Sequence, residues 1–252
     1  MIYAIPSYKR AEKQETLDFL LRMGVPKESI YIFVQTEDDH QSYLNRYSGV
    51  CNVIYRPAGG VATARNNILD FVVNKDDVLM MDDDVSNIAF GAKGQKFVEV
   101  KPGEQFQKVV EHMFAVNRQL HGYMFGMYPV WNEFFMSNDI STRVTVNTVL
   151  GFPKGFPLRF RDDYRAKEDI ELCGRILSSG GRVVRFNNIA YKAKHRTNDG
   201  GACETWASDA NAKVAEELEL MYPDVFSVKT NNPNEVRVVM RDVKMRGVKW
   251  IA

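Results

Sequence analysis

The sequence carries almost no net charge, few cysteines and no long apolar run. Thirty-three Lys and Arg stand against 32 Asp and Glu, a formal charge of +1. No global field therefore draws the chain onto nucleic acid or an anionic membrane, and any polyanion site has to be local. The three cysteines, Cys51, Cys173 and Cys203, lie far apart with no CxxC pair. That excludes a disulfide framework and a thiolate zinc site, and it fits a reducing compartment. No segment is apolar for long enough to cross a bilayer, and residues 1–9 run into a strand and a polar turn, unlike a secretory signal. The expectation is a cytoplasmic protein with no membrane partner and no obligatory protein partner. Repeats and low-complexity tracts are absent too. What is present is ordinary globular material: 252 residues, 45% hydrophobic and 26% charged, enough for one sizeable core and unlike disorder, collagen or coiled coil.

Short apolar runs alternate with helical patterns. Strands are expected at 2–5, 30–34, 53–55, 78–81 and 123–127, at 144–150, from Val183 onward and at 236–240. Helices are expected around Leu17, Leu20 and Leu21, then over 62–73, 104–120 and 207–221, and on the apolar face Ile170, Cys173, Ile176 and Leu177. The stretch 151–157 reads as a loop, and His40 falls in an acidic loop. Near-continuous apolar strands separated by helices imply a single α/β domain, Rossmann-like, with a mostly parallel central sheet flanked by helices. Ligands of such sheets bind beyond the carboxyl ends of the strands.

Asp82, Asp83 and Asp84 follow the apolar strand 78–81. Side chains two apart in extended chain point the same way, which aims Asp82 and Asp84 together at one hard cation, Mg²⁺ or Mn²⁺, while Asp83 points elsewhere. The plainer reading is an acidic turn or helix cap, but one Asp would serve there, whereas three adjacent carboxylates need a counter-charge. A cation held by two carboxylates keeps open positions for phosphate oxygens, so a nucleoside diphosphate is the natural companion. Gly59-Gly60 before the helix 62–73 permits close backbone approach, and Arg65 in its first turn suits an anion or a base.

Four segments, Ile5-Pro6-Ser7-Tyr8-Lys9-Arg10, Ala64-Arg65-Asn66, Asp82-Asp83-Asp84 and Lys167-Glu168-Asp169, together resemble the ordered motifs of GT-A nucleotide-sugar glycosyltransferases. The stretch 159–206 is similar to the TET-associated glycosyltransferases, a subgroup that resembles the base J glucosyltransferase and occurs in phages that decorate 5-hydroxymethylpyrimidines in DNA. The resemblance implies a GT-A fold in which residues 1–100 bind the nucleotide sugar and 101–252, with a basic C-terminal tail, bind the acceptor. It implies a UDP-sugar donor against Pro6, Ser7, Tyr8, Arg10, Gln35, Thr36, Glu37, Arg65, Asp82 and Asp83, with Lys194 and Arg196 on the diphosphate. Asp82, Asp84 and His195 would hold the metal. Asp169 would be the general base, with Glu168 or Asp163 as understudies, and the implied outcome is inversion. An acid at a helix start is also commonly mere dipole complementation.

For the acceptor, residues 143–199 hold twelve Lys or Arg against six acids, and Arg159, Arg161 and Arg165 are candidates for phosphate contact. Trp131, Phe134 and Phe135 are candidates for lining an extruded base. Aromatic core and solvated charge is the competing reading of each. The other functions compatible with the sequence are a GT-A enzyme acting on a saccharide, lipid or protein, a catalytically silent nucleic-acid-binding module, and a nucleotidyltransferase.

Overall fold

Parity along neighbouring strands decides where the helices of this computed structural model pack. The structure describes residues 1–164, 166–194, 208–242 and 244–245. In β1 (Ile2–Ser7) and β4 (Val78–Met81), which pair in parallel, Tyr3, Ile5, Leu79 and Met81 face one core. Ile2, Ala4, Val78 and Met80 face the other. This is the period-two alternation of a strand buried on both sides. The first core is closed by α1 (Glu15–Arg22), α2 (Glu37–Tyr47) and α4 (Glu104–Gln119), through residues such as Leu17, Tyr43, Phe106 and Val110. The second is closed by α3 (Val61–Val72), α5 (Glu168–Ser178) and α6 (Ser208–Met221), through Ile68, Leu172, Ile176 and Leu218.

The central sheet includes β2 (Ile30–Val34), β3 (Asn52–Tyr55), β7 (Met124–Tyr128), β9 (Val149–Phe152) and β10 (Val183–Ala193). From the β3 edge its order is β3-β2-β1-β4-β9-β7-β10, then β8 (Ile140–Ser141) and β13 (Lys244–Met245). Only β8 and β9 of this path run against the rest, so the sheet is mostly parallel and flanked by helices, as expected. A hairpin of β5 (Val85–Ala92) and β6 (Gln95–Glu99) joins it along β10, and β11 (Phe226–Lys229) with β12 (Asn232–Val238) forms a separate two-stranded sheet.

Beyond the short strands β8, β11 and β13, four segments depart from the sequence expectation. The acidic stretch around His40 is helix α2, because Thr36 caps it, accepting from the Asp39 N–H at 3.2 Å, and Glu37, Asp38 and Asp39 complement the dipole. Residues 144–148 are not strand; β9 starts at Val149 and runs through Gly151-Phe152, which the sequence reads as loop. Gly151 is required there, since a Cβ would lie 2.1 Å from the Phe125 ring. The β5–β6 hairpin was not expected at all. The strand expected at 236–240 lies at Asn232–Val238 and pairs with β11 in the small sheet.

Candidate active site

The same parity carries past the end of β4. Asp83 turns toward the α2 side, where its carboxylate accepts from Ser7 Oγ at 2.5 Å and pairs with Arg10. Ser7, Gln14 and Tyr43 complete a buried polar cluster around it. Asp83 is therefore a fastening of the turn. Asp82 turns toward α3 and α5, where Arg65 Nη2 donates to its Oδ1 at 2.9 Å and Arg65 Nε lies 3.4 Å from Glu168 Oε1. Thr16, fully buried at the start of α1, donates from its hydroxyl to the Asp82 carbonyl and accepts from the Val85 N–H at 2.9 Å. The turn is thus held from both sides.

Charge is unevenly compensated across this cluster. Burial opposes the guanidinium of Arg65, yet Asp82, Glu168 and Asp169 outweigh it and raise its pKa. Burial pushes Glu168 and Asp169 up, with Arg65 pulling both back. Burial, followed by repulsion from Asp82 and Asp83, pushes Asp84 up to about 7. Arg10, which already serves Asp83, tempers Asp84, and Lys194 acts on it as well. Asp82 and Asp84 are both partly exposed, and at Asp84 burial and the repulsion of its neighbours outweigh the cations nearby. Beside them an open cleft of about 200 Å³ is lined by Lys9, Arg10, Lys13, Glu15 and Asp84 among others. Hard oxygen donors so placed are what a divalent cation would satisfy. Among the described residues no three His, Cys, Asp or Glu side chains converge on one point, so a cation here would keep most of its positions for other ligands.

Asp169 follows Glu168 at the start of α5 and is partly exposed, whereas Glu168 is buried on Arg65. Of the two, Asp169 is the less buried residue, although its carboxyl is desolvated like that of Glu168. The remaining expected donor residues lie around the end of β1 and β2: Pro6 and Tyr8 are partly exposed, with the Lys9 ammonium 4.9 Å over the Tyr8 ring. Gln35 and Thr36 are partly exposed and Glu37 is exposed. Lys194 bonds Glu15 at 2.8 Å, which Lys13 also reaches at 3.2 Å. His195, Arg196 and Arg165 lie outside the described residues.

The acceptor candidates separate into two kinds. Phe134 and Phe135 are 65% and 66% exposed, and Trp131 stacks on Phe97 with ring centres 4.4 Å apart. These aromatics form surface rather than core. Arg159 pairs with Asp70 at 2.6 Å, and Arg161 pairs with Asp163 at 2.5 Å. The local basic excess is thus partly answered within the fold. Sequence reasoning missed Thr16, Thr148 and Tyr191, each a single residue whose partners are distant in the chain. No spacing or local pattern marks them.

No curated protein sequence matches this chain. Among solved structures it is similar to apo UDP-glucose pyrophosphorylase, at 11% identity and a TM-score of 0.45, covering 86% of this chain and all of that one. It is also similar to CMP:2-keto-3-deoxy-manno-octonic acid synthetase complexed with CTP, at 11% identity and 0.45, covering 89% and 99%. A third is a Desulfovibrio desulfuricans G20 protein described as a nucleotide-diphospho-sugar transferase, at 12% identity and 0.46, covering 88% and 97%. The profile of the TET-associated glycosyltransferases matches residues 1–201, four-fifths of the chain, and this protein belongs to that glycosyltransferase family.

Proposed function

We propose that this glycosyltransferase takes a nucleoside-diphosphate sugar, UDP-glucose or a similar UDP-sugar, and transfers the sugar with inversion to the hydroxymethyl group of a 5-hydroxymethylpyrimidine in phage DNA. The observation that carries the reading is the acidic pair Asp82 and Asp84 at the carboxyl end of β4, with Asp169 in the same electrostatic cluster around Arg65. Residues 1–100 hold the donor and 101–252 present the acceptor.

Asp82 and Asp84, with His195 as a further candidate, would hold Mn²⁺ or Mg²⁺, which when bound neutralises the diphosphate and its developing charge. Arg65 keeps Asp82 and Glu168 from repelling each other. With Glu168 held by Arg65, Asp169 accepts the proton of the acceptor hydroxyl as its oxygen forms the new bond to the anomeric carbon. The bond from that carbon to the diphosphate oxygen breaks on the opposite face, and the nucleoside diphosphate leaves with the electron pair.

The DNA acceptor is supported by the family and by the exposed Phe134 and Phe135, which offer a stacking surface to an extruded base. The test is incubation with a panel of nucleotide sugars, Mn²⁺ or Mg²⁺, and DNA containing 5-hydroxymethylcytosine or 5-hydroxymethyluracil, followed by nucleoside mass analysis. A hexose or pentose increment on the modified nucleoside is expected. Equal transfer to a free saccharide with no DNA present would overturn the acceptor and leave the glycosyltransferase standing.

A further inference from the structure

Arg185 carries a charge for which the fold supplies no carboxylate. Val184 and Phe186 face the first core and Val183 the second, so Arg185 on β10 faces the second, the side of α5. Tyr128 follows Met127 of the first core on the neighbouring strand β7 and shares the face of Arg185. Arg185 stands opposite Gly126, yet its guanidinium lies 5.2 Å from the centre of the Tyr128 ring, two residues further along β7. The side chain therefore runs along the sheet toward the carboxyl ends of β7 and β10. Strands β7 and β4 are parallel, with β9 alone between them. Tyr128 and Asp82 thus sit at the same edge and on the same face, about two strand spacings or 10 Å apart across the sheet, where such folds bind ligands.

One side of the guanidinium is fixed and the other is open. Nε donates to Asn187 Oδ1 at 2.8 Å, and the buried Asn187 donates from Nδ2 to Ser141 Oγ at 2.8 Å. The terminal nitrogens of Arg185 have no hydrogen-bond or ion-pair partner among the described residues. Asp242 acts on the guanidinium from beyond ion-pair distance, and its carboxylate already accepts the Thr142 and Arg143 N–H groups at 3.2 Å. Burial outweighs Asp242, Tyr128 and Tyr191 and holds the pKa of Arg185 down. Arg159, Arg161 and Arg175, by contrast, each hold a carboxylate. A half-buried guanidinium without a partner is costly until an anion completes it, and its planar fork matches a phosphate. The exposed Phe134 and Phe135 adjoin it in the chain: they follow β7, and the Ser137 N–H just after them donates to the Asn187 carbonyl at 3.2 Å.

We propose that Arg185 is an acceptor-binding residue whose terminal nitrogens donate to a phosphate of the DNA strand beside the modified nucleotide. This rests on the DNA-acceptor reading of the site. The donor diphosphate is the other source of phosphate, and the test separates the two.

The test uses the full chain and a single-stranded oligonucleotide with one 5-hydroxymethylcytosine. Its affinity is measured by fluorescence anisotropy across a salt series, and that of UDP by calorimetry in Mn²⁺, for wild type, Arg185→Gln and Arg185→Lys. Arg185→Gln keeps a donor for Asn187 and removes the charge. It is expected to weaken DNA by about tenfold, to flatten the logarithmic salt slope by about 0.7, the share of one phosphate on a single strand, and to leave UDP unchanged. Arg185→Lys is expected to keep the slope and lose part of the affinity, because an ammonium offers no fork. For wild type, neutral methylphosphonate linkages on both sides of the modified nucleotide are expected to weaken binding by about tenfold as well, a measurement that needs no variant to fold. Equal loss in both variants with the slope unchanged would make the arginine structural. Equal loss of UDP and DNA would assign it to the donor diphosphate, and undiminished binding of the methylphosphonate strand would show that no phosphate there is its ligand. Each of these overturns the proposal. If wild type binds no DNA, the acceptor reading falls and this proposal with it; if wild type binds and modifies DNA and Arg185→Gln does so identically, only this proposal falls.

Discussion

The acidic turn after β4 and the arginine-rich segment before α5 both read in the sequence as candidate charged sites, and the fold treats them in opposite ways. In the basic segment Arg159 and Arg161 each find a carboxylate at the surface. Such exposed pairs contribute about 0–1 kcal/mol and leave little field to act at a distance. In the acidic turn only Asp83 is fastened by a dedicated cation; Asp82 shares Arg65 with Glu168, and Asp84 is repelled by both neighbours. A charge cluster points to chemistry when the fold leaves its counter-charge to be supplied by something else.

The largest expected effect lies on the acidic side of this comparison. Asp169→Asn keeps the shape of the side chain but cannot take the acceptor's proton, and transfer should fall by about 10²–10⁴-fold with donor affinity intact. Single-turnover rates together with nucleotide-sugar titrations check this. Undiminished transfer would move the base to Glu168 or Asp163.

Asp84→Asn should cost transfer about 10²–10³-fold, the scale of losing one electrostatic stabiliser. The same change should stabilise the metal-free protein. A carboxylate whose folded pKa is raised to about 7 favours folding below its ordinary range and loses that contribution as pH rises through 7. At pH 8 in chelator, Asp84→Asn should therefore be more stable than wild type by about 1–2 kcal/mol after solvent screening, and at pH 4 the gap should close. Urea titrations at the two pH values measure it. A variant less stable than wild type at pH 8 would mean that the charge of Asp84 is already answered in the fold.

The smallest effect belongs to the basic side. Arg161→Ala should change stability by less than about 0.5 kcal/mol. It should flatten the salt dependence of DNA binding by less than one phosphate contact, because Asp163 already occupies the guanidinium. A full unit of slope lost would show that the pair opens to receive DNA and would erase the contrast.

The parallel half of the sheet was legible because β1, β2 and β4 are almost wholly buried and so almost wholly apolar. Helix α2 was not, since Tyr43 and Tyr47 supply nearly all of its apolar face and the rest reads as acidic loop. The β9 strand was misplaced because Gly151, needed for Phe125 to lie against the backbone, carries the signature of a turn. In the site, the acids were legible from their position after a strand. The engagement of Arg65 with carboxylates was not, because it depends on α5 arriving from about a hundred residues away. Tyr191 and Thr148 were hidden for the same reason: the Tyr191 hydroxyl bonds Asn147 and the Thr148 carbonyl accepts the Asp82 N–H, each across more than forty residues.

The central claim is that Asp82 and Asp84 hold a divalent cation with the donor diphosphate. Its most direct test is Mn²⁺ titration followed by electron paramagnetic resonance, with and without UDP, on wild type, Asp84→Asn and Arg161→Ala. The account predicts that wild type and Arg161→Ala bind one Mn²⁺ with UDP present and that Asp84→Asn does not. Equal Mn²⁺ binding by all three proteins would contradict it.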